Sequence, residues 1–188
     1  LKYNSDLTLL DYYIDNEYIR QVEITNGIPQ NSIKLINSDF FIFNSDLKYD
    51  FVFSNGFIEH FENTEDVIKR HVDLMCNNSQ LLILLPNLKG LNGFVHKYFD
   101  NEVYKIHNLE CMDLIFLKKI MENFDLSDVK VEYINKPMIW ISDKKNTYIR
   151  KILKKIVRIV SFLIKLFPIP SKFLSAFIVI SAIKKIAV

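Results

Sequence analysis

Two titratable side chains, Glu59 and His60, stand side by side just past a run of strand-forming residues. Histidine changes charge near neutrality, and a carboxylate accepts protons and hydrogen bonds. The pair is therefore suited to taking a proton from a hydroxyl or an amine. Ahead of it, Tyr49, Phe51 and Phe53 alternate with Asp50, Val52 and Ser54, which predicts a buried strand. Ser54-Asn55-Gly56 ends that strand, and Gly56 permits a sharp turn at which backbone can approach a ligand. In an open α/β sheet, ligands bind beyond the carboxyl ends of the strands, where these residues would lie. Asp11 and Asp39 follow the apolar runs LTLL and SIKLIN in the same manner. Each has a plainer reading beside the chemical one. Asn55-Gly56 is also an ordinary turn sequence, the two aspartates also suit turns or caps, and Glu59 and His60 could pair and pack locally.

The elements that must position these groups follow in order. Leu7–Leu10 predicts a strand, Asn16–Asn26 a helix capped by Asn16, and Ile33–Ile36 a second strand. After the Tyr49–Ser54 strand, Thr64–Cys76 predicts an amphipathic helix with Thr64 as its cap and Glu65 and Asp66 in the first turn. Asn77-Asn78 then reads as a turn into Gln80–Leu85, an almost wholly apolar run that suits a strand buried on both faces and stopped by Pro86. Residues 87–108 form a long connection carrying His96, Tyr98, Tyr104 and His107; connections of that length are usually lids or substrate-binding elements. A helix over Met112–Phe124, a strand over Asp128–Ile134, a helix over Tyr148–Phe167 and a last apolar strand over Phe173–Ile183 complete the chain. Strands alternating with helices, without tight hairpin signals, predict a parallel sheet with covering helices.

The chain has 188 residues, 49% apolar and 24% charged, which is enough for one domain with a real core and places it among ordinary globular proteins. Its net charge of +2 is unevenly spread: 144–165 holds eight Lys or Arg and no Asp or Glu. Cys76 and Cys111 lie far apart with no CxxC spacing, which argues against a zinc site or a disulfide framework and fits a reducing cytoplasm. The four histidines, at 60, 71, 96 and 107, show no metal-ligand spacing, so no metal site is expected. No signal peptide pattern opens the chain.

YDFVFSNGFIEHF, followed by a helix and then LLILLPN, resembles the class I S-adenosylmethionine-dependent methyltransferases, and the likeness extends back to Asp11 and Asp39 and forward to the last two strands. The resemblance implies an α/β, Rossmann-like sheet, mostly parallel with an antiparallel last strand and helices on both faces, in a single domain over 1–188. LTLLD, IKLINSD, YDFVFS and QLLILLP would be the family's second to fifth strands, DVKVEYI its sixth and FLSAFIVISAI its seventh. The family's first strand and glycine-rich loop have no counterpart, since all four glycines lie further along the chain, and activity is expected to suffer for it. In the family's terms Asp11 would accept from the ribose hydroxyls of S-adenosylmethionine, as an acceptor-only carboxylate does well. Asp39 would meet the adenine amine with Phe40 against the ring, and Asn55 and Gly56 would line the methionine end. Glu59 and His60 would be the catalytic pair, although transfer from a sulfonium needs mainly alignment and a base is optional. His96, Tyr104 and His107 would shape the pocket of a small-molecule acceptor, lipid-linked acceptors included, methylated on oxygen or nitrogen.

A nicotinamide-dependent oxidoreductase is the alternative, because a strand-end aspartate also serves an NAD ribose; no GxGxxG precedes Asp11, however. A non-catalytic fragment is the other. The basic helix, an insert at about 144–167, places Ile149, Ile152, Leu153, Ile156, Val160, Leu163 and Phe167 along one stripe. It admits three readings: cover for the sheet, peripheral contact with an anionic membrane through 148–167, or a partner-binding helix. A cytoplasmic protein is expected, membrane-associated if the second reading holds. Nucleic acid binding is not expected, for want of stacking aromatics among the basic residues. Neither the acceptor nor the oligomeric state is legible.

Overall fold

The computed structural model describes residues 5–134, 148–164 and 170–186. Two compact units divide the chain, Leu1–Asp46 and Leu47–Val188.

In the first unit, β1 (Leu7–Asp11) and β2 (Ile33–Asn37) pair in parallel, with Leu9 opposite Leu35 and Asp11 opposite Asn37. The helix α1 (Asn16–Thr25) crosses between them. Its cap is Asp15 rather than Asn16: the Asp15 carboxylate accepts from the Glu17 and Tyr18 amides while its backbone is extended. Both residues are good caps, and the backbone conformation decides between them. Few side chains here are buried: Ile14, Ile33 and Glu23, whose carboxylate accepts from the Asn31 and Ile33 amides.

The second unit holds β3 (Tyr49–Asn55), β4 (Met75–Pro86), β5 (Leu126–Tyr133) and β6 (Phe177–Lys184) in the order β3-β4-β6-β5. β3 runs parallel to β4, and β6 antiparallel to both its neighbours. Leu81, Ile83 and Leu85 of β4 face Ala182, Ile180 and Ile178 of β6 directly, and all six are at most 4% exposed. Each such Leu or Ile contributes roughly 1.5–3 kcal/mol by burial, so this ladder is the centre of the fold.

β4 begins earlier than the sequence predicts. Asn77-Asn78 is a bulge inside the strand, not a turn before it: Asn78 has φ +61°, and the pairing jumps from Tyr49–Met75 to Phe51–Gln80. β3 also differs from expectation. Val52 is buried, whereas Phe51 and Phe53 are half exposed, with their rings stacked 6.4 Å apart. Successive side chains of a strand point to opposite faces, so Val52 lies on the packed face and Phe51 and Phe53 on the open one. The described strands form two sheets, one of two strands and one of four.

Around the second sheet lie α2 (Thr64–Asp73), α3 (Leu91–Phe99), α4 (Asn101–Lys105), α5 (Leu114–Met121) and α6 (Tyr148–Ile164). α2 is capped by Asn63, which accepts from the Asp66 amide, while Thr64 turns inward and is buried. Val67, Ile68 and Val72 form its buried face. The 87–108 connection is mostly α3 and α4 rather than open loop. It is anchored by fully buried Asn87, whose Nδ2 donates to the Lys172 and Ser175 carbonyls. In α6, Val157 is buried with Val160 beside it, packed against Leu91 and Val95 of α3. Ile152, Ile156 and Leu163, three residues of the predicted apolar stripe, are exposed. Lys165 and Phe167 lie outside the described residues.

Candidate functional site

The carboxyl edge of β3 carries the densest chemistry. β3 ends at Asn55, and the Gly56 amide donates to the Leu84 carbonyl at 2.8 Å, which tethers the turn to β4. Gly56 has φ +65°, a conformation that glycine adopts without strain, and a Cβ there would sit 3.5 Å from Glu59 Oε1. The next residues wind into one turn of 3-10 helix, Ile58–His60. That turn buries Glu59 and leaves His60 exposed. Burial pushes the Glu59 carboxyl up to about 7, because the charged form loses its water. Its Oε2 is buried with no hydrogen-bond partner.

His107 reaches the same place from the end of α4. Its ring centroid lies 4.8 Å from that of His60, and its Nδ1 bonds to the Val103 carbonyl. Glu59, His60 and His107 each offer a ligand atom, and these atoms all fall within 4.8 Å of one another. Sequence spacing suggests no such grouping for the histidines; the fold brings two of the four together. Burial and the neighbouring His107 push the His60 pKa down.

Asn108 holds this arrangement, and sequence reasoning missed it. Its backbone amide donates to the Glu59 carbonyl at 2.7 Å, and its Nδ2 reaches the Phe61 and Glu62 carbonyls at 2.9 and 3.1 Å. One side chain thus ties the segment carrying His107 to the segment carrying Glu59 and His60. An asparagine between a histidine and an apolar residue gives no signal of this in sequence. Cys111, close by and fully buried, donates to the Asn108 carbonyl; burial and the Glu59 charge push its thiol up to about 12, so it is no nucleophile.

The other predicted pocket residues lie outside this three-residue cluster. His96 lies inside α3 at 1% exposure, with Nδ1 3.7 Å from the Asp100 carboxylate. Tyr104 is half-buried on α4, its amide donating to the Asp100 carbonyl. Tyr98 is exposed and tilts against Phe94.

In the first unit, Asp11 ends β1, and Asp39 follows β2 by two residues. Both therefore lie at the carboxyl edge of the parallel pair. Asp11 is exposed and Asp39 half-buried, and each uses Oδ1 on a local turn, to the Tyr13 and Phe41 amides respectively. Phe40 is half-buried, edge-on to Phe41. A cavity of about 400 Å³ in this unit is lined by α1, Gln30, Asn31, Ile33 and Leu35, and neither aspartate borders it.

No family model matches the chain, and no curated protein matches it in sequence. Solved structures do. A SAM-dependent methyltransferase from Archaeoglobus fulgidus superposes with TM-score 0.57 at 17% identity, over 97% of this chain and 88% of that one. Phosphoethanolamine N-methyltransferase 2 from Haemonchus contortus, in complex with S-adenosyl-L-methionine, gives 0.62 at 12% identity, over 96% of this chain and 44% of that one. A SAM-dependent methyltransferase from Thermotoga maritima gives 0.57 at 15% identity, over 95% and 73%. The β3-β4-β6-β5 order with antiparallel β6, a parallel β1-β2 pair and flanking helices is the α/β Rossmann-like fold of the class I S-adenosylmethionine-dependent methyltransferases.

Proposed function

We propose that the chain is an S-adenosylmethionine-dependent methyltransferase acting on an oxygen or nitrogen of a small-molecule acceptor. The carrying observation is a likeness to such enzymes that extends over 97% of the chain. The residues present suit the cofactor. Asp11 stands exposed at a strand's carboxyl tip with one carboxylate oxygen committed to a turn, which suits it to a ribose diol; Asp39 with Phe40 suits an adenine amine and ring. Asn55 and Gly56 are exposed, and the bare Gly56 backbone admits the close approach of a ligand. The bound cofactor would supply an electrophilic methyl group on a sulfonium. Glu59, His60 and His107 would face the acceptor, holding its nucleophilic atom in line and accepting its hydrogen bond. His96 and Tyr104 would support the wall of that pocket rather than touch the acceptor.

Isothermal titration of S-adenosylmethionine and of NAD into the protein tests this. Heat from the former, weakened at least tenfold by Asp11→Ala, supports the reading. Heat from NAD alone would favour the oxidoreductase alternative.

A specific observation favours contact with an anionic membrane. Ile152, Ile156, Ile159, Phe162 and Leu163 of α6 are exposed, and so are the flanking Lys151, Lys155 and Arg158. An exposed apolar stripe bordered by cations suits the lipid headgroup boundary, each cation adding about 1 kcal/mol near an anionic leaflet. No helix among the described residues is long and apolar enough to cross a membrane. Co-sedimentation with phosphatidylserine vesicles, lost on neutralising Lys151, Lys155 and Arg158, supports the contact; equal pelleting of the triple variant would remove it. A lipid-linked acceptor would fit such an enzyme.

A further inference from the structure

We propose that Glu59, His60 and His107 bind one divalent transition-metal ion of the zinc class. Three observations converge. First, the three ligand atoms, from two separate segments, lie within 4.8 Å of one another. Ligands on a tetrahedral ion at 2.0–2.1 Å stand about 3.4 Å apart, so a bound ion would draw the three atoms inward. Second, Glu59 is 1% exposed and its Oε2 has no hydrogen-bond partner. A buried carboxylate oxygen left in that state is costly, and a coordinated cation removes the cost. Third, the His107 Nδ1 faces the Val103 carbonyl, which only accepts; Nδ1 therefore carries the proton and Nε2 keeps its lone pair. Metal-binding histidines are oriented by this kind of outer hydrogen bond.

Two imidazoles and one carboxylate suit zinc, cobalt(II), nickel(II) or iron(II) rather than magnesium or calcium, which prefer all-oxygen sets. Three protein ligands leave at least one coordination position open. The exposed His60 provides the entry side. An ion held there would carry a net positive charge and attract an oxygen or nitrogen donor from outside the protein.

The test requires neither methyl donor nor acceptor, so it stands apart from the proposed activity. The chelator-stripped protein is titrated with Co2+ and its visible ligand-field absorption recorded, then Zn2+ is added in competition. One equivalent should bind with micromolar affinity or better, and Zn2+ should bleach the band. His60→Ala, at an exposed position where folding is preserved, should weaken binding at least tenfold, as should His107→Ala and Glu59→Gln, with circular dichroism confirming each fold. Cys76→Ser should leave the titration unchanged. Absence of Co2+ binding below millimolar concentration, or an unaltered titration in His60→Ala, would overturn the proposal.

Discussion

The two units put carboxylates to opposite uses. In Leu1–Asp46, Asp11 and Asp39 sit at a strand edge near solvent, each holding a turn a couple of residues ahead. In Leu47–Val188, Glu59 is buried, and its segment is fastened by Asn108 from a distant part of the chain. The first arrangement is local and easily formed; the second exists only once the fold is complete. A strand-edge carboxylate can wait for a ligand at little cost, whereas a buried one must be stabilised by tertiary contacts or by something it binds.

The comparison is broken most directly by hydrogen exchange. A pair of five-residue strands with few buried side chains is marginal, whereas β4 and β6 form the densest part of the core. The β1–β2 ladder amides should exchange at least 100-fold faster than those of Leu81–Leu85 and Ile178–Ala182, a gap of about 3 kcal/mol or more. Comparable protection in both ladders would mean that the units unfold as one. S-adenosylmethionine should narrow the gap if the β1–β2 edge binds it.

Acid provides the next separation, because all four histidines lie in the second unit. His71 is buried and bonds to the Val67 carbonyl; burial pushes its pKa down from 6.5 to about 4. The unfolded chain therefore takes up a proton at His71 near pH 6.5 and the folded chain only near pH 4. Stability from this residue is full above pH 6.5, falls as the pH drops, and levels off below 4, for a total of about 3 kcal/mol. Burial shifts His60 and His96 the same way and steepens the curve. Glu59, raised to about 7, works in the opposite sense over nearly the same range, so the His71 contribution is read as the difference between the urea midpoints of parent and His71→Gln from pH 7.5 to 4; parallel curves for the two would refute the assignment.

Much of this fold was legible because strands and helices announce themselves locally. The apolar runs LTLL and QLLILL, and the 3.6-residue spacing in 64–73, predict β1, β4 and α2. What failed depended on partners. Asp15 and Asn16, like Asn63 and Thr64, are adjacent residues that can both cap, and backbone angles decide between them. The outward turn of Ile152 and Ile156 follows from α6 packing through Val157 against Leu91 and Val95, a choice of neighbour that no periodicity encodes. The meeting of His60 and His107 likewise depends on Asn108, whose role is visible only in space.

Asn108→Ala leaves the amide bond to the Glu59 carbonyl but strips the side-chain bonds to the Phe61 and Glu62 carbonyls. Losing these two bonds, one part-buried and one exposed, together with the Glu110 amide's bond to Asn108 Oδ1, should cost about 2 kcal/mol. The urea midpoint should fall accordingly, and the His60 and His107 ring resonances should lose any cross-peaks between them. A stable variant with those cross-peaks intact would show that the cluster is set by packing alone.

The smallest stability effect belongs to Asp11→Ala, and its size sharpens the contrast. The side chain gives up one exposed turn bond, to the Tyr13 amide at 3.2 Å, which water replaces. Stability should move by no more than about 0.5 kcal/mol, within the range of ordinary surface substitutions. A residue so cheap to remove has no evident structural reason to be an aspartate. If the same variant also leaves S-adenosylmethionine affinity unchanged, Asp11 is a turn residue and nothing more. If affinity falls at least tenfold while stability holds, the first unit's edge is a ligand edge, and its poor tertiary support reflects a site completed by what it binds.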